Sequence, residues 1–585
     1  MNVLVIFWIT IAVAVLGYRI YARYIEKVFD VDGTHVTPAT EVNDGVDYVP
    51  TKKIVIFGHH FASIAGGGPI IGPTVALIFG YIPVWLWIMI GTLFIGAVHD
   101  FSALLASMRE RGKSMAEIAE KSMGRTGFFM FIAFTIIMLL MLTSVFLTLT
   151  ATALSSKYPL SYFGTETTHI QTIVENGIAY AVIGGIASTS VIFITCCAPL
   201  IGWLLYKRGV SAAVVSVLAV LVCAVSIQVG IAFPIKIDPF IWMCILSVYT
   251  IFAAGVPVWL VLQPRDFTNS FMLYAGVIGM LVCTVIVGLK GVTMNVPAAN
   301  IEGGTRLLGY IWPILFITVA CGAISGFHAL VAGGTTSKQV ASERPDAKIV
   351  SYGGMWLESL LAVCVVIAVG VGLSFEQFTQ IVFPTAAGVK SNPILAFALG
   401  LGGLLNKAVG IPLTYGVVFG ILLVEGFVVT TLDTAVRLNR YLLEELWSML
   451  FKTVPNVLKT YAFNSCLCVA LMFLLAYYNV FAQLWMLFGS ANQLLAALTM
   501  LAVSLWLMQR SKSYLFSLLP GIFMLVTTIA SLLVVLFNTY LPKQNYILAA
   551  GDIVLLGLAV GVIVVFANKF RDRQQAAALA GARKN

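Results

Sequence analysis

Charge is what this chain has least of. Asp, Glu, Lys and Arg make up 10% of its 585 residues against 60% hydrophobic residues, too little polar surface to cover a soluble globule of that size. Histidine is scarce, with six in all, and no H-x-x-x-H pair gives helix ligand spacing. The nine cysteines fall within apolar stretches without C-x-x-C spacing, which excludes a disulfide frame or a structural zinc site and leaves them as small buried hydrophobes. RGKS at 111–114 has Ser107 where a phosphate-binding loop needs glycine, so nothing here supports ATP hydrolysis. The net charge of +9 comes from basic residues scattered in short segments, with no dense stripe for nucleic acid.

What is there is apolar sequence in windows long enough to span a bilayer. Windows of ~20 residues predict an all-α polytopic membrane protein with about fifteen spans. Residues 1–53 hold a first helix and a polar loop, 54–232 a first set of five helices, and 239–431 a second set that includes 374–410. Beyond them lie a basic segment at 432–459, four helices within 460–568 and a basic tail at 569–585. No basic residue precedes the first apolar run, while Arg19, Arg23 and Lys27 follow it, the reverse of a cleavable signal, so this helix is expected to be retained. With the N-terminus outside and the C-terminus cytoplasmic, most Lys and Arg fall on the cytoplasmic side, provided 374–410 stays outside or dips in re-entrantly. An odd number of helices per set forces the two sets into opposite orientations, the pattern of a five-plus-five inverted repeat.

One stretch breaks this pattern on purpose. GHHFASIAGGGPIIGP at 58–73 places two histidines, three glycines and two prolines inside a membrane-length run, and freed backbone at that depth is tolerated only beside protein or a water-filled cavity. Gly66, Gly67, Gly68 and Pro69 therefore mark a candidate solute site, with His60 and Ser63 on the preceding turns. His59 and His60 cannot face the same way. AAGVPVW at 253–259 carries Gly255 and Pro257 at the corresponding place in the second set, a paired break or a coincidental kink. Backbone N–H groups at the half-helix after Gly68 would hold a carboxylate without an arginine.

Intramembrane ionisable residues are costly and by default functional. Asp100, beside His99, is the first candidate for a proton or cation carrier, against a structural pairing role. GFHALVAGGTTSK at 326–338 offers His328 as a solute contact. Thr335, Thr336 and Ser337 supply oxygens that suit a cation, with Lys338 as an alternative occupant of that position and a glycine-closed helix end as the plain reading. Glu358 and Glu425 are single carboxylates that line a route or join helices. Asn492 and Gln493 read as a helix-joining pair, and Asp433 and Arg437, four apart, as an ion pair.

Taken together, GHHFASIAGGGPIIGP, HDF at 99–101, QPRDF at 263–267, CGAISGFHALVAGGTTSK at 321–338, TLDTAVRLNRY at 431–441 and FGSANQLLAALT at 488–499 resemble the carbon starvation protein A family of bacterial inner-membrane transporters. The resemblance implies uptake of peptides or pyruvate, and the inverted-repeat fold of amino acid, polyamine and organocation carriers. The expectation is a secondary transporter, not an enzyme, with no cofactor and no bound metal. Its partners are a small-molecule substrate, a coupling proton and the lipid membrane. A sodium-coupled carrier of amino acids or other small carboxylates, and a metal or haem redox protein using the histidines, are the alternatives.

Overall fold

The computed structural model describes residues 2–44, 48–163, 171–175, 177–255, 262–385, 389–479 and 481–582. Among these, twelve helices are long and apolar enough to cross a membrane, or thirteen if the bent pair Ile56–Ile64 and Gly68–Phe79 is one span. Pro239–Ala254 and Pro393–Val409 are shorter apolar helices. The one departure from an all-helical chain is a small antiparallel sheet, in which Ile178–Ala181 lies between Tyr158–Pro159 and Thr172–Glu175. The span expected to open at 177 therefore starts as a strand, and its helix runs Ile183–Gly202.

The connecting segments sort to two ends. At one, Val49 and Thr51 donate backbone bonds to the Lys338 and Gln339 carbonyls, Arg109 pairs with Glu343 at 2.8 Å, and Lys512 pairs with Asp30. At the other, Asn300 caps Ile78 O at 2.8 Å, Asn295 holds Val371 O at 2.9 Å, and Lys290 reaches the carbonyls of Lys407 and Ala408. Residues 374–410 form a helical hairpin, Phe375–Val382 and Pro393–Val409, whose Lys407 returns to Val371 O at 2.6 Å. The hairpin thus begins and ends at the same end. Backbone contact makes this possible: Gly372 and Gly400 lie so close that a Cβ on Gly372 would sit 2.1 Å from Gly400 O.

The first broken helix follows its sequence. Lys53–Ile64 stops, and a new helix, Gly68–Ala76, begins with Pro69 in its first turn, where a missing N–H costs nothing. A second break lies at 319–326, between Ile311–Thr318 and Phe327–Gly334, inside a stretch read from sequence as continuous. Its cause is the run VACGAISG, mostly small residues with two glycines. The two breaks meet. A Cβ on Gly68 would lie 2.3 Å from Cys321 Sγ, and one on Gly72 would lie 2.6 Å from Thr318 O, while His60 bonds Thr336 at 2.8 Å. As one chain advances the other recedes, so the two broken helices run in opposite senses. Leu413–Leu450 and Arg125–Leu154 flank them: a Cβ on Gly66 would sit 2.8 Å from Thr431 Oγ1 and 3.7 Å from Phe146.

The C-terminal helices are latched to this core through Glu110. Its carboxylate accepts from Trp506 Nε1 at 2.8 Å and pairs with Lys121 and Arg510. Burial pushes this carboxyl up, but the Lys121 and Trp506 hydrogen bonds and the two cations outweigh it and hold it below the usual value of 4.5. A depressed folded pKa means stability present above the ordinary value and lost as pH falls through the folded one. Glu110→Gln is therefore expected to lower the melting temperature in detergent at pH 7, with the gap from the parent protein closing as pH falls below about 4.5; a gap independent of pH would remove the latch.

Candidate functional site

Glycine sets the geometry of the centre, one helical turn before each acid. Gly96 lets the Tyr81–Arg109 span approach the second break so closely that a Cβ there would lie 2.3 Å from Ala323 O, and Asp100 follows four residues later. Gly354 does the same against His60, with 3.2 Å from its would-be Cβ to His60 Cδ2, and Glu358 follows four residues later. Between the acids stands His328 of Phe327–Gly334. Its Nδ1 donates to Asp100 Oδ2 at 2.8 Å, and its Nε2 lies 3.2 Å from Glu358 Oε2. His99 Nδ1 donates to Asp100 Oδ1 at 2.7 Å. All four side chains are fully buried. One imidazole thus hydrogen-bonds the carboxylate of one helix and stands at ion-pair distance, without a hydrogen bond, from the carboxylate of another, and it rides on the half-helix that the second break releases.

That half-helix begins without a capping side chain of its own. Asn492 supplies one from Phe481–Gln509: its Oδ1 accepts from Phe327 N at 3.0 Å and from Ser325 Oγ at 3.3 Å, and its backbone carbonyl accepts from Gly326 N at 3.1 Å. This amide joins helices, and the joint it makes is the cap of the His328 half-helix.

The remaining candidates fall into three groups. Thr336 is committed to His60, and Ser337 donates to Gly333 O at 2.9 Å while accepting from Ser107 at 2.9 Å. Thr335 closes the helix through its N–H to Val331 O, and Lys338 lies over the Tyr48 ring, 5.3 Å from its centroid. On the other face of Lys53–Ile64, His59 is exposed, and Ser63 Oγ donates to its carbonyl at 2.8 Å. The two histidines face opposite ways, and the one bordering open space is His59, whereas His60 is buried. Gly255 ends the helix Pro239–Gly255, and Pro257 lies outside the described residues. Glu425 is fully buried, with neither carboxylate oxygen hydrogen-bonded, beside Asn269 and Arg265 in a narrow crevice.

A second polar centre was not found by sequence reasoning. Arg265 Nη2 pairs with Asp433 Oδ2 at 2.7 Å and with Asp266 Oδ1 at 3.2 Å, and donates to Thr430 Oγ1 at 3.2 Å. Tyr249 OH donates to Asp433 at 3.2 Å, and Arg437 Nη2 donates to Ala253 O at 2.9 Å. Asp433 therefore answers Arg265 and Tyr249 from neighbouring helices, where a pair with Arg437 was expected. The available signal was QPRDF, two charges at the mouth of an apolar span.

Among the described residues, Asp32, His35 and Glu343 are close enough to share a metal ion. Asp32 Oδ1, however, already accepts from Thr34 N and Oγ1 at 2.9 and 2.7 Å, and Glu343 pairs with Arg109.

A multi-span helical membrane protein, broken twice at its centre around buried acids and histidines, is the class these observations define. The chain belongs to the carbon starvation protein CstA family, whose pattern it matches over residues 2–378 and 371–531. It is 31% identical to the peptide transporter CstA of Bacillus subtilis, over 97% of this chain and 96% of that one. It is also 31% identical to the pyruvate/proton symporter BtsT of Escherichia coli, over 93% of this chain and 84% of that one. These relatives are named as transporters and not as enzymes. Among solved structures, a manganese transporter of Eremococcus coleocola aligns with a TM-score of 0.47 at 10% identity, covering 89% of this chain and 95% of that one.

Replacing Asn492 with Leu leaves the Phe327 N–H without an acceptor in a buried site, a loss of about 1–3 kcal/mol. The expected outcome is a lower melting temperature together with loss of uptake. Unchanged stability would show that the half-helix needs no cap from this side chain.

Proposed function

We propose that this chain imports pyruvate or short peptides across the bacterial cytoplasmic membrane, driven by protons, by alternating access around the two broken helices. The observation that carries the reading is the His328 bridge. A proton taken by one ring nitrogen leaves by the other, so an imidazole between Asp100 and Glu358 passes charge from one helix to the next without moving it far. The bridge exists only while the His328 half-helix stays in register with both acids. A rocking motion that tilts this half-helix separates His328 from one carboxylate and so ties proton position to the direction in which the site opens. Asp100, with two imidazole donors, is the leading coupling group.

Proton rather than sodium coupling is favoured by the hydroxyls. Thr336 and Ser337 spend their oxygens on His60, Gly333 and Ser107, so these two described hydroxyls do not converge on a site of the kind a hard cation takes. The names of the relatives support proton-driven uptake of pyruvate or peptides. The inverted-repeat reading draws support from the opposite senses of the broken helices, with Lys53–Ala76 and Ile311–Gly334 as the related pair. Counting the bent pair, the interrupted segment 311–334 and Pro239–Ala254 with the twelve long helices gives about fifteen spans. The end bearing Arg109, Lys121 and Lys512 is then cytoplasmic.

In proteoliposomes with an imposed proton gradient, Asp100→Asn is expected to abolish uphill accumulation of labelled pyruvate or dipeptide while leaving exchange of substrate across the bilayer largely intact. Undiminished accumulation would take Asp100 out of the mechanism, and wild-type indifference to the proton gradient would end the symport reading.

A further inference from the structure

Among the described residues, Arg265 is the one arginine with almost no exposed surface, at 1%, and its pairing is incomplete. Asp433, Asp266 and Thr430 all meet the same nitrogen, Nη2. Its Nε makes no hydrogen bond, and neither does Asp433 Oδ1. A guanidinium and a carboxylate that each keep a second atom in reserve make a single-point contact where a two-point fork is the strong geometry. Leaving such atoms unanswered in a buried site is costly.

Position makes the imperfection meaningful. Thr430, which bonds both Arg265 and Asp266 Oδ1, the latter at 2.8 Å, is followed by Thr431, the residue against Gly66. Arg265 also lines the narrow crevice shared with Asn269 and Glu425, which adjoins the one bordered by Ala62, Asp266 and Thr430. The guanidinium therefore sits near the first helix break, on the side that Ala62 faces.

We propose that Arg265 is the residue that grips the substrate's carboxylate, and that Asp433 is the internal carboxylate that competes with it for the guanidinium. This rests on the importer reading and adds to it the group that selects the substrate class: solutes with a free carboxylate. A substrate carboxylate takes the fork, using Nε and Nη2, and Asp433 gives up its contact with the guanidinium while keeping the one from Tyr249. Two acids already face one arginine, so the exchange keeps the charge of the site constant only if Asp433 takes up a proton as the substrate enters. The charged and titratable groups around Asp433 are Arg265 and Asp266 from Leu262–Leu289, Tyr249 from Pro239–Gly255 and Arg437 on its own helix. Ala62, on the first broken helix, borders the adjoining crevice.

The test is uptake of labelled dialanine into proteoliposomes bearing the full chain, competed by unlabelled dialanine or by dialanine amide. The wild type is expected to prefer the free acid by at least about tenfold, the size of one charge-assisted hydrogen bond. Arg265→Gln raises KM roughly tenfold to a hundredfold on the same basis and brings the acid-to-amide ratio near one. Arg265→Lys keeps the charge without the fork and is expected to fall between. Asp433→Asn, which removes the competitor, lowers KM and keeps the preference for the acid. A wild-type ratio that survives in either Arg265 variant, with only turnover or yield reduced, overturns the anchor and makes Arg265 a structural latch. An unchanged KM in Asp433→Asn overturns the competition. If Arg265→Gln does not fold, the lysine and Asp433 variants decide. Failure of the wild type to take up dialanine and pyruvate alike overturns the importer reading itself, which wild-type uptake with an unaltered variant ratio does not.

Discussion

Within hydrocarbon no water answers a freed amide, so a broken helix must find its partners in protein. Here each break is built against the other. The chain at Gly68 and Gly72 lies against Cys321 and Thr318 at distances that leave no room for a Cβ, and the half-helix at Phe327 is capped from a third element by Asn492. Remove Asn492 and unsatisfied backbone N–H remains at the centre of the bundle. The peripheral helices, with their exposed apolar faces, depend on this centre and contribute little to its geometry.

The same economy governs charge. Asp100, His99, His328 and Glu358 form one buried chain, and Arg265, Asp433, Asp266 and Tyr249 another. Neither resembles a surface salt bridge, because desolvating ions without close partners would cost more than the fold can bear. In both, a glycine or a small hydroxyl residue brings the helices near enough for contact: Gly96 and Gly354 in the first, Thr430 in the second.

Much of this was legible in the chain. The membrane class follows from composition, and the first break from GGGP, because three glycines and a proline have no other use in an apolar span. Asp100 stood out because a carboxylate there needs a reason. The second break did not stand out. CGAISG has no proline, and small residues also pack ordinary membrane helices; its unwinding depends on Asn492, which lies far off in sequence. Arg265 hid for the same reason. At the edge of a span it reads as a topogenic charge, and only the approach of Leu413–Leu450 buries it. The short strand at Ile178–Ala181 did not stand out because an apolar stretch of four residues satisfies either period. The pairing of Asp433 with Arg265, where Arg437 was the nearer choice along the chain, is again a tertiary decision that helical spacing alone does not contain.

The two polar centres lie on opposite faces of one half-helix. Lys53–Ile64 turns His60 toward Thr336, with His328 beyond it, while Ala62 borders the crevice lined by Asp266 and Thr430, which adjoins the one lined by Arg265. The half-helix ends at Ile64, and Ala65, Gly66 and Gly67 separate it from the helix that follows. A tilt about that point would move His60 and His59 as one body, carrying one toward its surroundings as the other recedes, which is how the proposed proton and carboxylate sites would be tied together. Coupling in this architecture needs no long pathway of side chains. It needs one rigid lever of three turns, a hinge of small residues, and a polar centre pressed against each face.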